Sequence, residues 1–156
     1  HLLCYFPSLV TAEAYGKILY EALPSRKNID ELFGQQYIYD PESLIVAYEE
    51  KLLLSPTVLT VEEVFKGVRS LGGCVIPAHI DRSYGMVKQL GFINEELNVK
   101  TIEVARMGLQ PKETRIYRMM HNSDAHSLSD IANNRPMEIE VDEISIKGII
   151  DSLCYK

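Results

Sequence analysis

At 156 residues the chain has the length of one domain and enough residues to bury a sizeable core. It is 46% hydrophobic and 24% charged, an ordinary balance for a soluble globular protein. A net charge of −6 with no basic block argues against nucleic-acid binding through a positive patch, although metal ions could still hold a phosphate-bearing substrate.

The chain opens on a continuous apolar run, His1 to Phe6, read as a buried strand that Pro7 and Ser8 end. Thr11 to Leu23 reads as a helix capped by Thr11. Ala14, Ile18 and Ala22 form its apolar face, widened by Tyr15, Leu19 and Leu23, and Pro24 stops it. From Ser25 to Pro56 the pattern is weaker. Residues 36–39 and 44–48 fit two strands of a hairpin around Asp40-Pro41, and Tyr37, Tyr39 and Tyr48 are read as packing residues.

Thr60-Val61-Glu62-Glu63 has the form of a capping box. The helix it opens runs to Leu71, with Val61, Val64, Phe65, Val68 and Leu71 inward and Gly72-Gly73 closing it. Cys74 to His79 follows as a buried strand with an irregular end at Pro77. Tyr84 to Leu90 reads as a short helix closed by Gly91, and residues 101–105 as a strand. Residues 107–118 are ambiguous. Residues 117–120 read as a strand, 128–133 as a short helix capped by Ser127, and 137–141 as a last strand. The last helix spans 145–153, with Ile146, Ile149, Ile150 and Leu153 inward. Strand and helix alternate, which predicts an α/β fold with parallel packing and functional loops at the carboxyl ends of the strands.

Cys4, Cys74 and Cys154 are odd in number, far apart and set in apolar runs. They predict buried free thiols in a reducing cytoplasm, with no zinc ribbon or redox pair. No apolar run reaches 18 residues, so no membrane span is expected.

The chemistry centres on residues 120–126, Met-His-Asn-Ser-Asp-Ala-His. Asp124 and His126, two apart at a strand end, point to one face and suit a metal; a polar turn followed by a helix cap is the plainer alternative. His79 also ends a strand and His1 opens one. Phosphoester chemistry at metal ions needs neutral imidazoles and carboxylates, and His1, His79, Asp124 and His126 would supply part of such a set. His121 alternates away from Asp124 and is expected outside it. Asp81 and Arg82 are possible substrate contacts or a solvated loop pair. Glu103 and Arg106 are possible site residues or an ion pair.

Residues 72–82, Gly-Gly-Cys-Val-Ile-Pro-Ala-His-Ile-Asp-Arg, resemble the GG-x-x-IPAH-x-D segment of the PHP (polymerase and histidinol phosphatase) family. Residues 122–126, Asn-Ser-Asp-Ala-His, resemble its closing SDAH motif, and His1 to Phe6 its H-hydrophobic-L-x-Y-F segment. Leu90-Gly91-Phe92-Ile93 is similar to the stretch after the AH motif in the bacterial phosphoesterase branch. The resemblance implies a distorted (β/α)7 barrel holding up to three Mn, Zn, Fe or Mg ions at the carboxyl ends of its strands. Carried over by position, His1, His79, Asp124 and His126 match metal ligands, while His121 and Asp81 match none.

The family's H-x-H pair, D-H pair and bridging glutamate do not occur before His1. The chain is therefore expected to be a single, incomplete PHP domain over residues 1–156, with N-terminal strands and part of the metal cluster missing. The implied activity is cytoplasmic hydrolysis of a phosphorylated small molecule or nucleotide by a metal-activated water; a nucleic-acid substrate is possible but not indicated by charge. The alternatives are a non-catalytic PHP-like structural or interaction module and a different metal hydrolase of the amidohydrolase kind.

Overall fold

The computed structural model describes residues 1–83, 85–105, 114, 116–123, 125, 127–132 and 137–155. It is a mixed α/β chain with small sheets and no closed barrel among the described residues. Two compact units are present: His1–Ala12 with Val61–Lys156, and Glu13–Thr60.

In the first unit, β1 (Leu2–Tyr5) pairs with β4 (Cys74–Pro77), Leu2 opposite Pro77 and Tyr5 opposite Cys74. The pairing is antiparallel, which corrects the expectation of parallel packing for these two strands. A continuous apolar run signals burial on both faces and carries no information about direction. Among the described residues only β5 (Thr101–Glu103) and β6 (Arg118–Met120) pair in parallel. Between these lie α3 (Val61–Ser70) and α4 (Met86–Leu90). Helix α3 buries Val64, Phe65 and Val68 and ends in a Schellman turn: Gly72 N–H bonds Arg69 O, and Gly73 N–H bonds Val68 O. Gly72 takes a φ of 72°, as the Gly-Gly pair predicts. Gly91 closes α4 in the same left-handed region.

Helix α5 (Leu128–Ala132) starts after Ser127, whose hydroxyl accepts from Asp130 N–H. Helix α6 (Ile146–Cys154) is capped by Ser145, whose hydroxyl accepts from Gly148 N–H at 3.0 Å. Ile150, Ser152, Leu153 and Cys154 are its buried residues; Ile146 and Ile149, expected inward, are exposed. The strand expected at 137–141 is also corrected. The segment is irregular, yet Met137 and Ile139 still pack on the cluster of Cys74, Ile76, Met120, Ile150 and Leu153. Their alternation marks a half-buried segment, and that does not require a strand partner. A second cluster joins Ile80, Met86, Ile93, Ile102 and Val104.

Two thiols expected to be free are joined: Cys74 and Cys154 form a disulfide, with Cα atoms 5.7 Å apart. The end of α6 packs on the start of β4, and a separation of 80 residues hides that contact from sequence spacing. Cys4 is free.

The second unit holds most of α1 (Leu9–Glu21), α2 (Asp30–Phe33), and the hairpin of β2 (Tyr37–Tyr39) and β3 (Ile45–Tyr48). Helix α1 starts two residues before the expected cap. Ser8 is the capping residue, its hydroxyl accepting from Thr11 N–H while Thr11 Oγ1 accepts from Ser8 N–H. Tyr15 is buried, but Ala14 and Ile18 are exposed, so the apolar face is narrower than expected. The hairpin forms where expected, with a register shift between Ile38 and Tyr39. Among the described residues no helix is long and apolar enough to cross a membrane.

Candidate metal centre

Three strand ends meet around one buried carboxylate. Glu103 closes β5 in the run Thr101-Ile102-Glu103-Val104, whose residues are all buried, so its charge requires nearby donors. Oε2 accepts the backbone N–H of His79 at 3.1 Å and lies 2.8 Å from His79 Nδ1. The His79 ring N–H does not point squarely along that line, so the aligned bond at Oε2 is the backbone one. Oε1 accepts from Asn122 Nδ2 at 2.8 Å, and the same amide reaches the Tyr5 hydroxyl at 3.4 Å. Glu103 thus touches the loop after β4, the loop after β6 and, through Asn122, strand β1.

His79 stands two residues past β4 with a φ of 46°, a region that few non-glycine residues adopt. Its backbone is pinned on both sides. The N–H goes to Glu103, and the carbonyl accepts from Arg82 N–H at 2.9 Å. Ile80 N–H bonds Glu103 O at 3.0 Å. Gly85 closes the loop: a Cβ there would run into His79 O and lie 2.8 Å from Ile80 Cα. Strain of this kind persists where its surroundings over-determine it, often at a working site.

The antiparallel register explains the position of His1. At the start of β1 it faces the carboxyl end of β4, and its carbonyl accepts from Ala78 N–H at 3.1 Å. The His1 and His79 rings meet edge-on, centroids 5.6 Å apart at 81°. Asp81 Oδ1 accepts from Ala105 N–H at 2.9 Å, tying the His79 loop to the chain after β5. His121 is half-buried; its backbone N–H meets Met137 Sδ, and its Nδ1 has no hydrogen-bond partner among the described residues. Asp124, His126 and Arg106 lie outside the described residues. The thiol of Cys4, on β1, is pushed up to about 11 by burial, so it is not a thiolate nucleophile at neutral pH.

The residues present fit a divalent ion in kind. His1 and His79 are imidazole donors of the type zinc and manganese take, and a carboxylate beside Nδ1 is the usual outer partner of a metal-bound histidine. Among the described residues no three His, Cys, Asp or Glu side chains are grouped as a metal would require. The part played by Glu103 was missed by the sequence-level metal set. The available signal was a lone charge inside a short, otherwise uncharged strand, which must find donors if that strand is buried.

Comparison with known protein families, with curated proteins and with solved structures found no match.

Proposed function

We propose that this chain is part of a PHP-type metal-dependent phosphoesterase acting on a phosphorylated small molecule or nucleotide. The observation that carries the reading is His79, held in a left-handed bend at the carboxyl end of β4, with a buried carboxylate beside Nδ1 and His1 against its ring. His1, His79, Asp124 and His126 would hold the ions. Other ligands would come from elsewhere in a longer polypeptide. Divalent ions, when bound, supply Lewis acidity and bring a water's pKa toward neutrality. The chain's own part is to orient imidazole nitrogens and to fix the strand ends. Glu103 does both, and Asp81 anchors the loop through Ala105.

The rival reading is a non-catalytic PHP-like module, which would hold its fold and release no phosphate.

The test is phosphate release from small phosphoesters and nucleotides by the full-length protein containing this chain, with Mn²⁺ restored after chelation. Asp124→Asn keeps the shape and removes the charge that holds a cation. Turnover is expected to fall by roughly 100-fold or more, since uncoordinated water is a poor nucleophile at neutral pH. His121→Asn is expected to matter much less. Full activity in Asp124→Asn, or in chelator, contradicts the mechanism. No activity on any phosphoester by the intact protein supports the module.

A further inference from the structure

We infer that Glu103 is a positioning residue that sets the tautomer of His79 and couples the loop after β4 to the loop after β6. The inference rests on the phosphoesterase reading only for the identity of the ligand. Its first readout concerns a proton on one nitrogen and is independent of any reaction.

Two atoms that both present lone pairs repel at 2.8 Å even where no hydrogen bond is aligned between them, so the close contact of His79 Nδ1 with Glu103 Oε2 places the imidazole proton on Nδ1. In a neutral ring that leaves the lone pair on Nε2, the nitrogen that a metal would then take. The backbone reinforces this choice. The same Oε2 accepts the N–H of His79 itself, and Glu103 O accepts from Ile80 N–H, so side chain and main chain of one glutamate grip two consecutive residues. The main chain that carries the ring is therefore held against the same carboxylate.

The second oxygen does different work. Oε1 holds Asn122, two residues past β6 and two before Asp124. A carboxylate bridging His79 and Asn122 fixes the spacing between two motif-bearing loops that are 43 positions apart, Asn122 minus His79 in the numbering. Glutamine could keep one of these contacts. It could not accept at both oxygens, because one end of its amide is a donor. Aspartate keeps both acceptors on a shorter stem.

The experiment is long-range ¹H–¹⁵N correlation of the imidazoles in the ¹⁵N-labelled chain, above the pH range where imidazole ordinarily protonates. The expected wild-type pattern for His79 is a protonated Nδ1 and an unprotonated Nε2. In Glu103→Gln the pattern is expected to move to the mixed tautomers of free imidazole, and Glu103→Asp is expected to restore it. Zn²⁺ titrated into the same samples is expected to shift Nε2 and leave the Nδ1 proton in place. Its apparent affinity is expected to fall about 10–100-fold in Glu103→Gln. A wild-type His79 protonated on Nε2 overturns the inference, as does a Glu103→Gln spectrum or Zn²⁺ affinity unchanged from wild type. Should Glu103→Gln fail to fold, the wild-type tautomer and the Asp variant still decide. A protein with the expected tautomers and no phosphoesterase activity would refute the proposed reaction while leaving the role of Glu103 in place.

Discussion

Strands β4 and β5, in the unit that carries His79, are buried at every position; β3, in the Glu13–Thr60 unit, is exposed at every position. The sequences of these strands look alike, short and rich in β-branched residues. Their surroundings differ. Ile76, Ile80 and Ile102 are fully enclosed in two packed clusters. In the hairpin, Tyr37 packs on Tyr39 and Tyr48, while Ile38, Ile45 and Val46 remain exposed. A two-stranded hairpin is marginal by itself, and its apolar side chains contribute only what they bury. The buried unit, by contrast, can hold a non-glycine residue at positive φ and a carboxylate away from water, which a loosely packed region could not sustain.

The sharpest way to break this contrast is a pair of truncations. Ile76→Ala empties part of a closed cluster and is expected to cost about 2–5 kcal/mol. Val46→Ala, at 59% exposure, is expected to stay within about 0.5 kcal/mol. Urea unfolding followed by circular dichroism measures both. Equal costs would remove the distinction between the units.

A smaller effect is expected at Gly85, where the backbone itself is the neighbour. Gly85→Ala sets a methyl against His79 O and Ile80 Cα, neither of which can rotate away as a side chain would. The expected cost is about 1–3 kcal/mol. It should come with a displaced His79 amide resonance and weaker Zn²⁺ binding. A stable variant with an unmoved His79 signal would show that the loop has more room than its packing indicates.

The smallest effect sits on β1. Burial raises the Cys4 thiol from 9.0 to about 11, so the folded state keeps a proton that the unfolded state gives up. The stability this contributes is fully present below pH 9.0 and is lost as pH rises toward 11. Near pH 8 the folded thiol holds roughly 100-fold less thiolate than an unfolded one, and iodoacetamide labelling is expected to be slowed accordingly. Labelling at the denatured rate would place Cys4 outside the packed region.

Which parts of this molecule could be read from the sequence follows from how local each signal is. Helix α3 ends at Gly72-Gly73 because its closing turn needs a residue at positive φ, a requirement written in adjacent residues. The hairpin at Tyr37–Tyr39 and Ile45–Tyr48 is local in the same way. Strand direction is not: β1 reads identically whether it runs with or against β4. The Cys74–Cys154 link and the Glu103 bridge join positions far apart in sequence, and spacing rules cannot see them. Of the proposed metal set, the adjacency of His1 and His79 was legible as two histidines at strand ends, although the antiparallel register that brings them together was not.

The central claim is that His1, His79, Asp124 and His126 form one site. A crystal structure of the protein grown with Mn²⁺ or Zn²⁺ tests it most directly. The expected result is an ion cluster with His79 Nε2, Asp124, His126 and His1 among its ligands, zinc bonds of about 2.0–2.2 Å, and His121 outside that shell. His79 and His126 at opposite ends of their strands, or an ion held by other residues altogether, would contradict it.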